Sequence, residues 1–415
     1  MYNPYKLYSI TFIGAMLLYM LGWSDLFSNL SAPMVIFLIL TSIIMILFGN
    51  SKKISPLISW NEIESDDYAY VFSLLSLFGH LMNFIYAGKL PLINILLSKP
   101  NEVIEGFNGI PFIHVLMVSF TTFYCTYLFH LYLSTKDRKY LLLYLINFLP
   151  LLLLFSRSSI ILVLMNSVWI VLMKKNFFSI KLIASLTLFL LIVGYFFGVA
   201  GDKRTENQLN LSATGSDLIM EIGSASEEFR ESLIPKTYFW VYLYASSPLA
   251  NFQHIINTDS NHPIDGERIL EFVNNEFLPD SISNRINGLM GSSNIEMPLI
   301  TPTLNVATIY GPAYEYLSWM GPILMFIYTI VIITGYLYVN KENKQFLLTG
   351  IAILNSIIVL NAFDNMFSKT AFSFQLVYPI AFGFFYSKTT RSLSWKRKLS
   401  SLWQRITEKC TLLNK

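Results

Sequence analysis

The stretch LLLLFSRSSIILVLM, residues 151–165, places one arginine and three serines in an otherwise apolar run. A guanidinium is among the costliest groups to bury. Arg157 must therefore reach water or meet an anion, and Ser156, Ser158 and Ser159 add hydroxyl donors beside it. Three further arginines stand in hydrophilic stretches: Arg204 in GDKR, Arg268 in DGER and Arg285 in SNRING. A planar, permanently charged fork suits each of them to an anion, although a surface ion pair is the simpler reading of Arg268 and Arg285. For proton transfer the candidates are Glu315, between Tyr314 and Tyr316, and the histidines His254 and His262. The histidines are spaced H-x7-H with Asp259 between them, and without a third ligand they read better as a base or phosphate partner than as a metal pair. Asp364 and Lys369, in FDNMFSK, are expected to pair with each other. His80 and Asn83, one turn apart in an apolar segment, are expected to hydrogen-bond between helices. His114, at the start of another apolar segment, reads as an interfacial histidine.

The elements that must position these groups are membrane helices. Hydrophobic residues make up 54% of the 415, charged residues 13%, and the mean hydropathy is +0.51. A soluble chain of this length needs far more surface charge, so the expected fold is an all-α polytopic membrane protein. About 20 apolar residues cross a bilayer. Ten candidate spans fall near 7–23, 32–48, 67–88, 111–133, 140–156, 158–173, 180–200, 313–339, 345–363 and 369–387. Residues 140–173 as one helix would be about 51 Å long, too long for a hydrocarbon core of about 30 Å. A tight hairpin turning at SRSS fits instead. The first apolar segment lacks a small-residue cleavage site and reads as a retained anchor. Two cysteines, Cys125 and Cys410, provide neither a disulfide framework nor a zinc spacing.

Charge orients the chain. With both termini in the cytoplasm, 19 Lys and Arg lie inside and four in the short outer loops, Arg157 among them. The expected organisation is a seven-span bundle over 1–200, an extracytoplasmic, mostly helical loop over 201–303, three more spans over 304–387 and a basic cytoplasmic tail over 388–415. The loop carries 14 acidic residues against six basic ones. Within it TYFWVYLYASSPLANFQHII, 237–256, is apolar enough to be considered a span. Pro248 and Ser246–Ser247 interrupt it, so it reads as a helix and turn at the interface. LPLINILL, 90–97, is too short to cross. The tail, with Trp395 and Trp403 eight residues apart, reads as an interfacial helix on anionic lipid.

The loop contains no GxSxG, HExxH, P-loop or DxD-like pair, so no soluble nucleotide is implied, and nothing points to nucleic acid. An energised donor would have to arrive linked to lipid. Here a resemblance enters. A chain of about ten spans with its large outer loop in the second half resembles the O-antigen polymerase family, the Wzy-type polymerases of oligosaccharide repeat units. The SRSS turn between two spans, YASSPLANF at 244–252 and TIYGPAYEYLSWMGPI at 308–323 carry the likeness, as does the Arg-x10-Gly spacing of RTENQLNLSATG at 204–215. Glu315 stands where Asp is commoner, and Trp319 interrupts the usual glycine spacing.

The resemblance implies a metal-independent glycosyltransferase, GT-C-like, needing no cofactor. It would act at the outer face of the bacterial inner membrane on undecaprenyl-diphosphate-linked glycan as donor and acceptor, with a chain-length regulator as a further partner. Arg157, Arg204, Arg268 and Arg285 would bind the substrate diphosphate, and Glu315, His254 or His262 would serve as catalytic base. Tyr242, Tyr244, Asn251 and Tyr314 would contact sugar. Three alternatives stay open: an O-antigen ligase with the same chemistry, a flippase of lipid-linked oligosaccharide, and a membrane acyltransferase modifying sugars, which would want a His-centred site and fewer outer acids. The flippase would want buried mid-span charge and an internal repeat, whereas mid-span charge is nearly absent here.

Overall fold

Apolar helices in a membrane gain nothing from one another by hydrophobicity, so packing and polar side chains must join them. The computed structural model describes residues 2–52, 54–96, 107–175, 180–209, 215–258, 264–291 and 295–386, and within these the chain is all-helical. Among the described residues five helices are long and apolar enough to cross a membrane: α2 (Ala32–Gly49), α3 (Ala69–Ala87), α5 (Ile113–Thr135), α7 (Arg157–Lys175) and α15 (Met320–Asn340). Two apolar helices are shorter, α16 (Leu347–Leu360) and α17 (Thr370–Tyr386). The expected count of ten meets a length limit here. Both α1 (Pro4–Tyr19) and α6 (Arg138–Leu153) have 16 residues, about 24 Å at 1.5 Å per residue, short of a core of about 30 Å. Between α3 and α5, α4 (Pro91–Leu96) is a six-residue piece that is too short to span, as the sequence suggests.

α5 is the central post. Thr121 on it meets Ser76 at 2.8 Å and His80 at 2.9 Å from α3, the interhelical role expected of His80, whereas Asn83 accepts from the Ile110 amide at 3.0 Å in the connector before α5 rather than from a helix. α6 and α7 form the expected hairpin: the Tyr144 and Ser167 hydroxyls, equally far from the turn, lie 3.4 Å apart. Buried Asn166 on α7 donates to Thr126 on α5 at 3.0 Å and accepts from Ser356 on α16 at 2.6 Å. Interhelical hydrogen bonds in membranes contribute on average ~0.6 kcal/mol each. Asn166→Leu is therefore expected to cost about 1 kcal/mol and lower the thermal midpoint in detergent; an unchanged midpoint would show that the bridge contributes nothing.

The connectors segregate to two ends. At one, Tyr127 donates to Asp66 at 3.1 Å and accepts from Gln345 at 2.8 Å, and the Asp66 amide reaches Tyr140 at 2.9 Å. At the other, residues 23–31 and 361–369 meet the polar region that follows α8 (Ile180–Leu209). This region begins with α9 (Gly215–Ile222) and α10 (Glu227–Glu231). Ser24 donates to the Gly223 carbonyl at 2.6 Å, and the Thr308 amide donates to Phe363 at 3.1 Å.

Two helices differ from expectation. The segment expected to turn at Pro248 is one continuous helix, α11 (Tyr238–Thr258). Its first half meets Trp23, whose amide donates to Tyr242 at 3.2 Å, while its last turns meet Ser31 through Gln253 at 2.7 Å and Ser28 through Asn257 at 3.2 Å. Both halves hold the same short connector, so α11 lies across one end of the bundle. The segment expected to span 313–339 is broken in two. α14 (Gly311–Leu317) stops at Ser318, whose φ is +47°, and α15 starts at Met320. Pro322 cannot donate to the Ser318 carbonyl and would clash with it, so no α-helix runs through. At Gly321 a Cβ would lie 1.8 Å from the Ala313 carbonyl oxygen, so only glycine allows this close return.

Candidate active site

A cavity of about 200 Å³ opens in the polar region at this second end. Helix α12 (Gly266–Phe272) runs into a π turn, Val273–Phe277, whose wider ring holds Asn275 and Glu276 at the cavity. Such turns concentrate at functional sites. Helix α13 (Asp280–Met290) adds Asp280, Ser283 and Asn284, while the 361–369 connector adds Asp364, Asn365 and Lys369. Tyr316 of α14 closes one wall.

The walls are fixed by a polar network. Asn275 donates to the Tyr316 hydroxyl at 2.8 Å and accepts from Ser283 at 2.7 Å and Asn287 at 2.9 Å. Asn365 donates to both the Glu276 carboxylate and its backbone carbonyl, each at 2.9 Å. Its own carbonyl accepts from the Phe367 amide at 3.2 Å. Asp280 binds Thr370 through the Thr370 amide at 3.1 Å and through its hydroxyl. Asp364 and Lys369 form the ion pair expected from the sequence, at 3.2 Å.

Electrostatics single out Glu276. The residue is 6% exposed, and burial pushes its carboxyl up from 4.5 to about 7. Asn365 opposes the rise, nearby Asp364 adds to it, and Lys369 opposes it again. Burial works against the Lys369 ammonium, but Asp364, then Asp280 and Glu276, outweigh it and keep it charged. The cavity thus holds a carboxyl that exchanges its proton near neutrality beside a fixed cation. That combination suits general acid–base work on a hydroxyl with a charged group developing nearby. Among the described residues no group of three His, Cys, Asp or Glu converges on a metal-binding geometry.

The residues named from sequence scatter around this cavity. Glu315 is half-buried on α14 and is absent from the cavity lining; its backbone carbonyl accepts from Arg268 at 3.2 Å, tying α12 to α14. His254 is half-buried on α11, away from the cavity. His262 and the tail lie outside the described residues, and the Arg204 side chain does too, although its backbone belongs to α8. Arg157 opens α7 at the tip of the hairpin, exposed, 5.2 Å from the Phe155 ring, and among the described residues no carboxylate pairs with it. Arg285 is exposed on α13, 5.7 Å from the Phe112 ring.

The sugar candidates divide likewise. Tyr242 is packed in a small core with Phe229 and Phe239, and Tyr314 is buried beside Phe252. Buried Asn251 spends its amide on the Leu304 and Val306 carbonyls and its carbonyl on the Ile300 amide. Only Tyr244 of the four is open, stacked on Phe363. Glu276, Asn275, Asp280 and Tyr316 were not singled out from sequence. For the first three the sequence shows only a run of amides and acids, VNNEFLPDSISNRIN, 273–287, which ranks none of them. No family model, curated protein or solved structure matches the chain.

Proposed function

We propose that the protein is a membrane glycosyltransferase that extends a lipid-diphosphate-linked glycan, with the cavity around Glu276 as its active site. The substrates on this reading are undecaprenyl-diphosphate-linked repeat units, and the product is a surface polysaccharide of O-antigen type. The protein would sit in a bacterial inner membrane with both termini cytoplasmic and the cavity on the outer face. The observation that carries the reading is a buried, near-neutral carboxyl in the same polar cavity as the Asp364-paired Lys369 ammonium, at the end of an apolar bundle. At about 200 Å³ the cavity is smaller than the ~300–1,000 Å³ of pockets for drug-sized ligands, which suits one sugar ring. Glu276 would take the proton of the attacking hydroxyl while Lys369 and arginine offset the charge that develops on the diphosphate.

Removing the gene from its host and sizing the surface glycan tests this. Collapse of a ladder to a single repeat unit supports the polymerase. Loss of every core-attached repeat, with polymer retained on lipid, would make the protein a ligase, and an unchanged ladder would overturn both. Arg157 is exposed on the same end of the bundle, where a lipid diphosphate would lie. Arg157→Ala, scored by the same ladder, is expected to abolish extension while the protein inserts normally; a normal ladder would remove Arg157 from the site.

A further inference from the structure

A second, smaller concavity of about 120 Å³ lies across α13 from the cavity. Its floor is apolar, formed by Val115 and Leu116 of α5, Phe374 of α17 and Phe112. Its polar rim is Arg285, with Ser281 and Thr370. Thr370 is the partition between the two spaces, since its hydroxyl bonds Asp280 on the cavity side and lies 2.9 Å from Ser281 on the other. α13 has two faces at 100° per residue. Asp280, Ser283, Asn284 and Asn287 turn toward the cavity and its network, while Ile282 and Leu289 lie opposite, 44% and 87% exposed. Phe112 and Ile113, where membrane-length α5 begins, are exposed too. Phe112 holds a φ of +66°, which a side chain rarely adopts, and its ring stands under the Arg285 guanidinium. Among the described residues no carboxylate pairs with Arg285.

We propose that this notch seats the phosphate end of a lipid, with the phosphate on Arg285 and the first carbons of the chain against Val115, Leu116 and Phe374. It is also where the lipid-linked substrate of the adjoining cavity is anchored; this second statement rests on the glycosyl-transfer reading, the first does not. An unpaired cation above an apolar slot at the end of a membrane helix matches a ligand that is anionic at one end and apolar at the other.

The test uses the full-length chain in detergent with farnesyl diphosphate, farnesol and inorganic diphosphate, read by native mass spectrometry and thermal shift. Farnesyl diphosphate is expected to bind saturably at one site, with Arg285→Ala weakening it tenfold or more. Leu116→Trp, which fills the notch, should weaken binding comparably while the protein keeps its elution volume. Equal affinity for inorganic diphosphate would show a free-phosphate site and overturn the lipid assignment. Undiminished binding by both Arg285→Ala and Leu116→Trp would overturn the notch altogether. If Arg285→Ala loses the lipid but extends glycan normally, the notch stands and its link to the cavity falls.

Discussion

If the glycosyl-transfer reading holds, Glu276→Gln is expected to abolish chain extension and leave the protein folded. The substitution keeps the carbonyl oxygen that accepts from Asn365 and removes only the ability to take up a proton. Loss of a positioned general base lowers rates by roughly 10²–10⁴-fold. The wild-type rate should rise with pH through about 7, where the carboxyl ionises. Stability separates this role from a structural one. Because the folded-state value is raised from 4.5, the folded protein retains the proton that the unfolded chain releases. Wild-type stability is therefore full below about 4.5 and declines as pH rises to about 7, by about 3 kcal/mol at most. Glu276→Gln lacks this decline, so its thermal midpoint should be flatter between pH 5 and 8. Chain extension by Glu276→Gln at near wild-type rate would take the cavity out of the chemistry.

Opposite displacements of the pH–rate profile are expected from the two halves of the ion pair beside Glu276. Lys369 draws the Glu276 carboxyl down and Asp364 pushes it up. Lys369→Met should therefore move the rising limb to higher pH and lower the plateau, because the cation that offsets developing charge is gone. Asp364→Asn should move the limb to lower pH. Each displacement is measured as the midpoint of activity against pH on purified protein with a lipid-linked acceptor. Shifts in the same direction, or none, would mean that a different group titrates in the rate.

The apolar helices were legible because their signal is local. The expected 32–48 and 67–88 differ from Ala32–Gly49 and Ala69–Ala87 by no more than two residues at any end. The Asp364–Lys369 pair was legible for the same reason, five residues apart in a tight turn. The break at Ser318 was less visible, since Tyr314, Tyr316 and Trp319 read as the boundary of a single span, although Gly321 with Pro322 marks the stop. Glu276 could not be ranked from sequence at all. Its raised carboxyl depends on burial, opposed by Asn365 from 89 residues away, and 13 other acids stand in the same stretch of chain. Glu315 looked more eligible because its flanking tyrosines suggested a boundary, yet it is Tyr316 that meets the cavity.

The connector over residues 23–31 sets a timetable for biogenesis. The amides of Trp23, Asp25 and Ser31 find their acceptors in Tyr242, Ser224 and Gln253, all made about 200 residues later. At 5–20 residues per second, the ribosome needs roughly 10–45 s to supply the last of them. Throughout that interval the first helical hairpin, α1 with α2, has this loop capped only by water and headgroups. Nascent chains stalled before residue 224 should expose it to added protease, and chains released beyond residue 258 should not.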